Sequence, residues 1–238
     1  MKIFIEILRV IVELLYPNRC VFCEELCIEE VCERCKQEVF YVKEPRCKKC
    51  GKPIRYATQE YCYDCENTKK LFDVGRSLWV HKGVVADSLY RFKYHRHKVN
   101  GEFYARAILQ KYATTIYDWE IDTIIPVPVH KKRQAKRGFN QSEIIAKCMS
   151  QYLHIPTNTT VVERVTHTKP QKNLSGRRRR QNLRGAFKVV DKEKVTKNIL
   201  LIDDIYTTGS TLEEMASILK RAGARKVCFL TISIGQGI

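Results

Sequence analysis

The pattern of apolar and polar positions divides the chain into three stretches. Over the first fifteen residues Ile3, Ile7, Val10, Ile11 and Leu14 recur at helical spacing, with Glu6, Arg9 and Glu13 on a narrow opposite face. An amphipathic helix is therefore predicted over residues 1–17, closed by Pro17. Its charges deny it the uninterrupted apolar run of a signal peptide, and it falls short of the ~20 apolar residues that span a bilayer. Docking on the rest of the protein is the ordinary use of such a helix; docking on a partner or a membrane surface is the alternative. Residues 18–66 show little apolar periodicity. From residue 73 strand-like and helix-like segments alternate, as in a parallel α/β domain over 73–238.

Within that domain Thr123–Val129 reads as a short strand ending in Pro126-Val127-Pro128. Asn140 is a plausible N-cap, with Glu143 three residues on, for a helix whose stripe is Ile144, Ile145, Cys148, Met149, Tyr152 and Leu153. Ile199–Ile202 reads as a buried strand. Thr211 and Glu214 suggest a capping box for a helix with the stripe Leu212, Met215, Ala216 and Leu219, closed at Gly223. Lys226–Ile232 is the returning strand, with Cys228 in the core. Strand, loop, helix and strand make a βαβ unit.

Cysteine changes the picture of the middle stretch. Eight of the 11 cysteines form four CxxC pairs: Cys20/Cys23, Cys32/Cys35, Cys47/Cys50 and Cys62/Cys65. Each pair is a zinc-knuckle spacing, and two knuckles supply the four thiolates of a tetrahedral structural site. With no secretion signal, metal is favoured over disulfide and a cytoplasmic protein is expected, with peripheral membrane association as a further option. Sequential pairing gives two zinc ribbons within 18–66 and needs only short loop closures; a crossed pairing would join the first knuckle to the third. Arg34, Lys48 and Lys49 sit where they would offset thiolate charge, and Cys27 is left over as an ordinary thiol.

The segment that carries chemistry is Leu200-Leu201-Ile202-Asp203-Asp204-Ile205-Tyr206-Thr207-Thr208-Gly209-Ser210-Thr211. A hydrophobic strand delivers two carboxylates to its carboxyl end, where α/β sheets bind ligands. A hydroxyl-rich turn then opens onto a helix N-terminus, whose free N–H groups and dipole favour phosphate. Thr207, Thr208, Ser210 and Thr211 add donors, and Gly209 allows close approach. Asp203 and Asp204 can accept from the vicinal hydroxyls of a sugar. Phosphate donors beside diol acceptors describe a site for ribose 5-phosphate.

This segment resembles the phosphoribosyl pyrophosphate (PRPP) signature of type I phosphoribosyltransferases. That resemblance implies a pyrophosphate loop after the first core strand, here His130, Lys131, Lys132 and Arg133. It also implies a mobile loop closing over the ligand, here Thr166–Gly185 with Arg177, Arg178, Arg179, Arg180 and Arg184. Mg²⁺ is implied with PRPP, and about two Zn²⁺ with the cysteines. End to end, the chain resembles the ComF family (the late-competence ComFC type), which joins a zinc-ribbon module to a phosphoribosyltransferase domain. Further likeness lies in Leu89-Tyr90-Arg91-Phe92-Lys93-Tyr94, in Pro126-Val127-Pro128 with Arg137-Gly138-Phe139-Asn140-Gln141, and in Leu183-Arg184-Gly185-Ala186-Phe187.

The resemblance implies a role in natural transformation: handling single-stranded DNA, with other DNA-uptake proteins at the inner face of the membrane as further partners. Charge fits that role. A formal net charge of +17, from 43 Lys and Arg against 26 Asp and Glu, suggests an anionic partner. Tyr90, Arg91, Lys93, Arg96 and Lys98 interleave aromatic and basic residues, as in a backbone-plus-stacking mode of binding. The alternative is a working phosphoribosyltransferase of base metabolism with a purely structural zinc module. No segment names an acceptor base.

Overall fold

The computed structural model describes residues 18–95, 98–166 and 183–235. The helix expected over 1–17, Arg96 and Arg177–Arg180 lie outside those residues. Two short helices, α1 (Glu33–Glu38) and α2 (Tyr63–Asn67), belong to the cysteine-rich part. Then follow β1 (Val74–Val80), α3 (Gly83–Tyr94), α4 (Asn100–Asp118), β2 (Thr123–Pro126), α5 (Lys131–Arg137) and α6 (Gln141–Leu153). A hairpin of β3 (Val162–Arg164) and β4 (Phe187–Val189) precedes β5 (Asn198–Tyr206), α7 (Ser210–Arg221) and β6 (Lys226–Ile234).

Strands β1, β6, β5 and β2 lie side by side in that order, all parallel. Such a sheet must be covered on both faces, which is why its strands read as almost unbroken apolar runs. Leu200, Ile202, Leu230 and Ile232 point into one layer, with Leu89 of α3, Ile108 of α4 and Met149 of α6. Ile199, Leu201, Val227 and Phe229 point into the other, with Leu212, Met215 and Leu219 of α7. The chain leaves β2 through α6 on the first face and reaches residues 156–158, which bond to Ile124 on the outer side of β2. It leaves β5 through α7 on the second face and goes the opposite way, to β6. Between β2 and β5 the winding reverses, and at such a switch point α/β sheets bind ligands at their carboxyl ends.

Several expectations shift. β2 stops at Pro126 rather than Val129, because two prolines in three residues remove ladder donors. β5 and β6 extend beyond the expected strands, to Tyr206 and Ile234, so both aspartates lie on the strand itself. The stripe of α6 is rotated: Ala146 is buried, whereas Tyr152 is 52% exposed and Cys148 half-buried. Asn140 does cap α6, its side chain accepting from the Ser142 N–H, but Glu143 pairs with Lys147 instead of closing a capping box. Thr211 is not a cap either. Gly209 occupies that position at φ 72°, and the Glu214 carboxylate accepts from the Gly185 N–H at 2.8 Å.

The cysteine-rich stretch is not an appendage. The segment between its two halves lies against the free edge of β1: Val42 N–H donates to Leu78 and Val80 N–H to Phe40, with an antiparallel bridge from Tyr41 to Trp79. An edge strand that would otherwise invite aggregation is thereby covered. From this seam the first half (Cys20–Cys35) packs into the layer of α3, α4 and α6, and the second (Cys47–Cys62) into the layer of α7. Phe22 meets Trp79 edge-on at 5.3 Å between ring centroids, and Ser88 Oγ donates to the Val21 carbonyl at 2.5 Å.

Candidate functional site

At the switch point the strand–turn–helix of β5 and α7 presents Asp203 and Asp204, then Thr207, Thr208, Gly209, Ser210 and Thr211. A side chain at position 209 is excluded twice over: the backbone φ is +72°, and a Cβ would lie 2.5 Å from the Tyr206 hydroxyl. Thr208 Oγ1 and Ser210 Oγ are 2.8 Å apart, so two hydroxyls meet at the start of a 12-residue helix.

The carboxylates have unlike surroundings. Asp204 forms an ion pair with Lys93 of α3 at 2.9 Å. Asp203 accepts from the backbone N–H of Asp204 at 2.9 Å and from Ser142 Oγ, at the start of α6, at 3.4 Å. Burial, and then the neighbouring Asp204 charge, push the Asp203 carboxyl up to about 7; Lys93 and Arg164 pull the other way. A second cation in the site would be welcome at Asp203. Asn140 fixes this corner, donating from Nδ2 to the Val127 carbonyl at 3.0 Å, and Val127 N–H donates to Ile202.

Basic residues converge from three elements. Arg164, on the hairpin, lies over the Phe187 ring at 5.2 Å, and its pKa falls to about 10 through burial and the charges of Arg133 and Arg137. Arg137 reaches the Tyr94 hydroxyl at 3.3 Å and Gln141 at 3.1 Å. His130 to Arg133 do not form an open loop. His130 caps α5, its Nδ1 accepting from the Lys132 N–H, and Lys131, Lys132 and Arg133 make the first turn; Arg133 is half-buried and the two lysines are exposed. Of the basic loop, Arg184 is exposed beside the buried Leu183 and Ala186.

The stretch expected to contact nucleic acid is dispersed, because successive residues of α3 turn about 100° each. Arg91 faces the first cysteine cluster, pairing with Glu24 at 3.1 Å and donating to the Phe22 carbonyl. Lys93 faces Asp204. Tyr90 and Tyr94 remain on the surface, their rings 4.9 Å apart, and Lys98 sits 5.3 Å from the Phe139 ring. Ser142 and Arg164 were not foreseen as site residues, Lys93 was expected on nucleic acid rather than on Asp204, and Arg137 was noted only within a segment of family likeness. They reach the site from distant parts of the chain, and no local spacing announces that they meet.

The eight paired cysteines fall into two tetrads in sequential pairing, Cys20/23/32/35 and Cys47/50/62/65, with each set of sulfurs within 4.8 Å of one another. Cys23–Cys32 and Cys50–Cys62 sulfurs are 3.6 Å apart, close to the roughly 3.8 Å edge of a tetrahedron with Zn–S bonds of ~2.3 Å. All eight are free thiols. Burial raises the Cys20 thiol, but N–H donors from Cys32, Cys23 and Phe22 outweigh it and bring it down to about 7. Hydrogen bonds from Cys50, Cys62 and Cys65 hold Cys47 far below a normal thiol. The Tyr206 hydroxyl, buried beside the second tetrad, has no oxygen or nitrogen partner among the described residues. Each donor set fits one Zn²⁺, and together they fit about two. Cys27 stands apart from both: half-buried, it donates to the Glu29 carbonyl at 2.7 Å. Of the basic residues beside the knuckles, Arg34 pairs with Glu25 and Lys48 with Glu60.

The chain matches the double zinc ribbon domain over residues 11–66 and the phosphoribosyl transferase domain over residues 97–233. It is 41% identical over 108 residues to Competence protein F of Haemophilus influenzae, covering 44% of this chain and 47% of that one. It is 38% identical over 106 residues to the DNA utilization protein YhgH of Escherichia coli K12 (44% and 46%). To Competence protein ComFC of Bacillus subtilis it is 28% identical over 204 residues (82% and 80%). The chain thus spans about half the length of the first two relatives. Among solved structures it is similar to the glutamine PRPP amidotransferase of B. subtilis (TM-score 0.36, 20% identity, 56% of this chain and 25% of that one). It is also similar to a purine phosphoribosyltransferase of Pyrococcus horikoshii (TM-score 0.34, 16% identity, 56% and 83%).

Proposed function

The chain belongs to the phosphoribosyltransferase-domain proteins of the ComF type, with a double zinc ribbon, and from that premise we propose that it serves DNA uptake in competence as a cytoplasmic protein that binds PRPP with Mg²⁺ and handles single-stranded DNA. One observation carries the ligand reading. At a single switch point, a hydroxyl-rich helix N-terminus stands beside two carboxylates, one neutralised by Lys93 and one pushed up by burial and by its neighbour's charge.

The residues divide the work. The turn Thr207–Thr211 takes the 5-phosphate through backbone N–H groups and hydroxyls. Asp203 and Asp204 accept from the ribose hydroxyls and orient the ring; they are not nucleophiles. Arg133, Arg137 and Arg164 supply positive charge for the pyrophosphate, and would favour its departure if the C1′ bond breaks. Bound Mg²⁺ would neutralise pyrophosphate charge next to Asp203. Arg177–Arg180, Tyr90 and Tyr94 are the candidates for DNA contact. Names of the relatives and the charge of +17 support that half of the proposal.

The test of the DNA reading is binding of a labelled single-stranded oligonucleotide across a salt series. Affinity should fall steeply with salt, because neutralised phosphates release counterions, and depend little on sequence. Absence of binding at low salt would remove DNA from the proposal. PRPP consumption with a defined free base, and no oligonucleotide binding, would instead favour a transferase of base metabolism.

A further inference from the structure

Tyr206 ends β5, three residues before the glycine of the phosphate turn. Its ring is 1% exposed, stacked on Phe229 of β6 (centroids 5.1 Å apart, planes 8° apart) and met edge-on by Phe72 at 6.4 Å. These contacts clamp the phenol so that it cannot swing. On one side its oxygen faces the second cysteine tetrad, with Cys50 as the sulfur it can bond. On the other lies Gly209, where even a methyl group would come within 2.5 Å of the same oxygen. The phenol thus lies close to both tetrad and turn, and its hydroxyl has no oxygen or nitrogen partner among the described residues. A buried, unpaired hydroxyl costs stability unless an acceptor is supplied. A metal-bound Cys50 thiolate is such an acceptor.

We propose that Tyr206 is a positioning residue that couples the second zinc tetrad to the phosphate turn, so that metal occupancy of Cys47/Cys50/Cys62/Cys65 sets the geometry in which the turn receives a phosphorylated ligand. The inference rests on the reading of Thr207–Thr211 as a phosphate site. The tetrad holds the phenol from behind through an O–H···S bond, and the phenol holds Gly209 in the left-handed conformation that starts α7. Packed side chains do not compress, so a shift of the tetrad passes to the turn. The effect is reciprocal: a ligand that stabilises the turn must hold the second zinc more firmly. The first tetrad packs into the opposite layer of the protein.

The experiment uses the full-length zinc-loaded protein and its Tyr206→Phe variant, which keeps the ring stack and removes only the hydroxyl. Zinc release to a chromophoric chelator is followed with and without PRPP and Mg²⁺, and PRPP binding is measured in parallel by calorimetry. In the wild type PRPP should slow release of one zinc severalfold and leave the other unchanged. In Tyr206→Phe that zinc should leave about tenfold faster, as expected for losing a hydrogen bond to a charged group, and PRPP should no longer protect it. Release kinetics identical in the variant and wild type would overturn the proposal. So would a wild type that binds PRPP while both zincs leave at unchanged rates. If calorimetry shows no PRPP binding, the phosphate-site reading fails and the coupling with it, whereas faster release from Tyr206→Phe would still report the contact with Cys50.

Discussion

The two cysteine tetrads share a motif but not a situation. In the first, Cys23 and Cys32 are half-buried, and the ribbon is fastened to α3 by Arg91, Ser88 and Phe22. In the second, Cys47 and Cys50 are 0% exposed, Lys52 is sunk beside them in a 2.8 Å ion pair with Asp64, and the buried Tyr206 lies close to both the cluster and Gly209. Spacing between knuckles, eight residues in one and eleven in the other, announces none of this. What distinguishes the tetrads is which face of the sheet each lies against. The first braces the helices that carry Lys93, and the second lies behind the turn itself. A cysteine tetrad can therefore be remote from a strand–turn–helix in sequence and still pack behind it.

The largest expected effect separates the two directly. Cys50→Ser should leave about one zinc per chain and lower the melting temperature by roughly 10 °C, because the lost metal takes with it the support of the more deeply buried cluster. Cys23→Ser should also lose one zinc, with about half that shift, since its ribbon is the more exposed. Metal analysis and calorimetric melting check both; equal shifts would erase the distinction drawn here.

Next in size is the ligand site. Asp203→Ala with Asp204→Ala should weaken PRPP binding at least tenfold, through lost hydrogen bonds to the ribose, while zinc content stays unchanged. Unaltered PRPP affinity in the folded double variant would mean that the ribose lies elsewhere.

A smaller effect concerns pH. Asp203 is pushed from the usual 3.8 up to about 7 in the folded chain, so between those values the native state holds a proton that the unfolded chain has lost. Stability from this group is therefore greatest below about pH 4 and declines as pH rises to about 7. Asp203→Asn should raise the melting temperature at pH 8 and change it little at pH 4. The reverse order would show that burial does not govern this carboxyl.

The smallest is at the seam of the first ribbon. Arg91→Ala removes the donor to the Phe22 carbonyl and the ion pair with Glu24, and should cost about 1–3 kcal/mol, a few degrees of melting temperature. DNA affinity should be unchanged, because Arg91 faces the ribbon.

How much of this was legible depended on contiguity. The strand–turn–helix around Asp203 and Asp204 could be read directly, since one unbroken segment holds the strand, the hydroxyl-rich turn and the helix start. Sequential pairing of the cysteines followed from short loop closure. Ser142 and Arg164 were beyond reach, as was the pairing of Lys93 with Asp204, for the sheet order and crossovers bring them together and no spacing records it. Tyr90–Lys98 misled for a related reason. Alternating aromatic and basic residues suggest one continuous surface, but on a helix Arg91 and Lys93 point about 200° apart, one to the ribbon and one to the site. Capping was similarly overdrawn at Thr211 and Glu214, because Gly209 already starts the helix and Glu214 is engaged by Gly185.

If the β2/β5 switch point receives a 5-phosphoribosyl ligand, isothermal titration of the zinc-loaded protein with PRPP, in the presence and absence of Mg²⁺, should reveal it. Saturable one-to-one binding is expected, strengthened when Mg²⁺ is present and lost in the double aspartate variant. Heat no greater than dilution, or binding that the double variant retains in full, would contradict it.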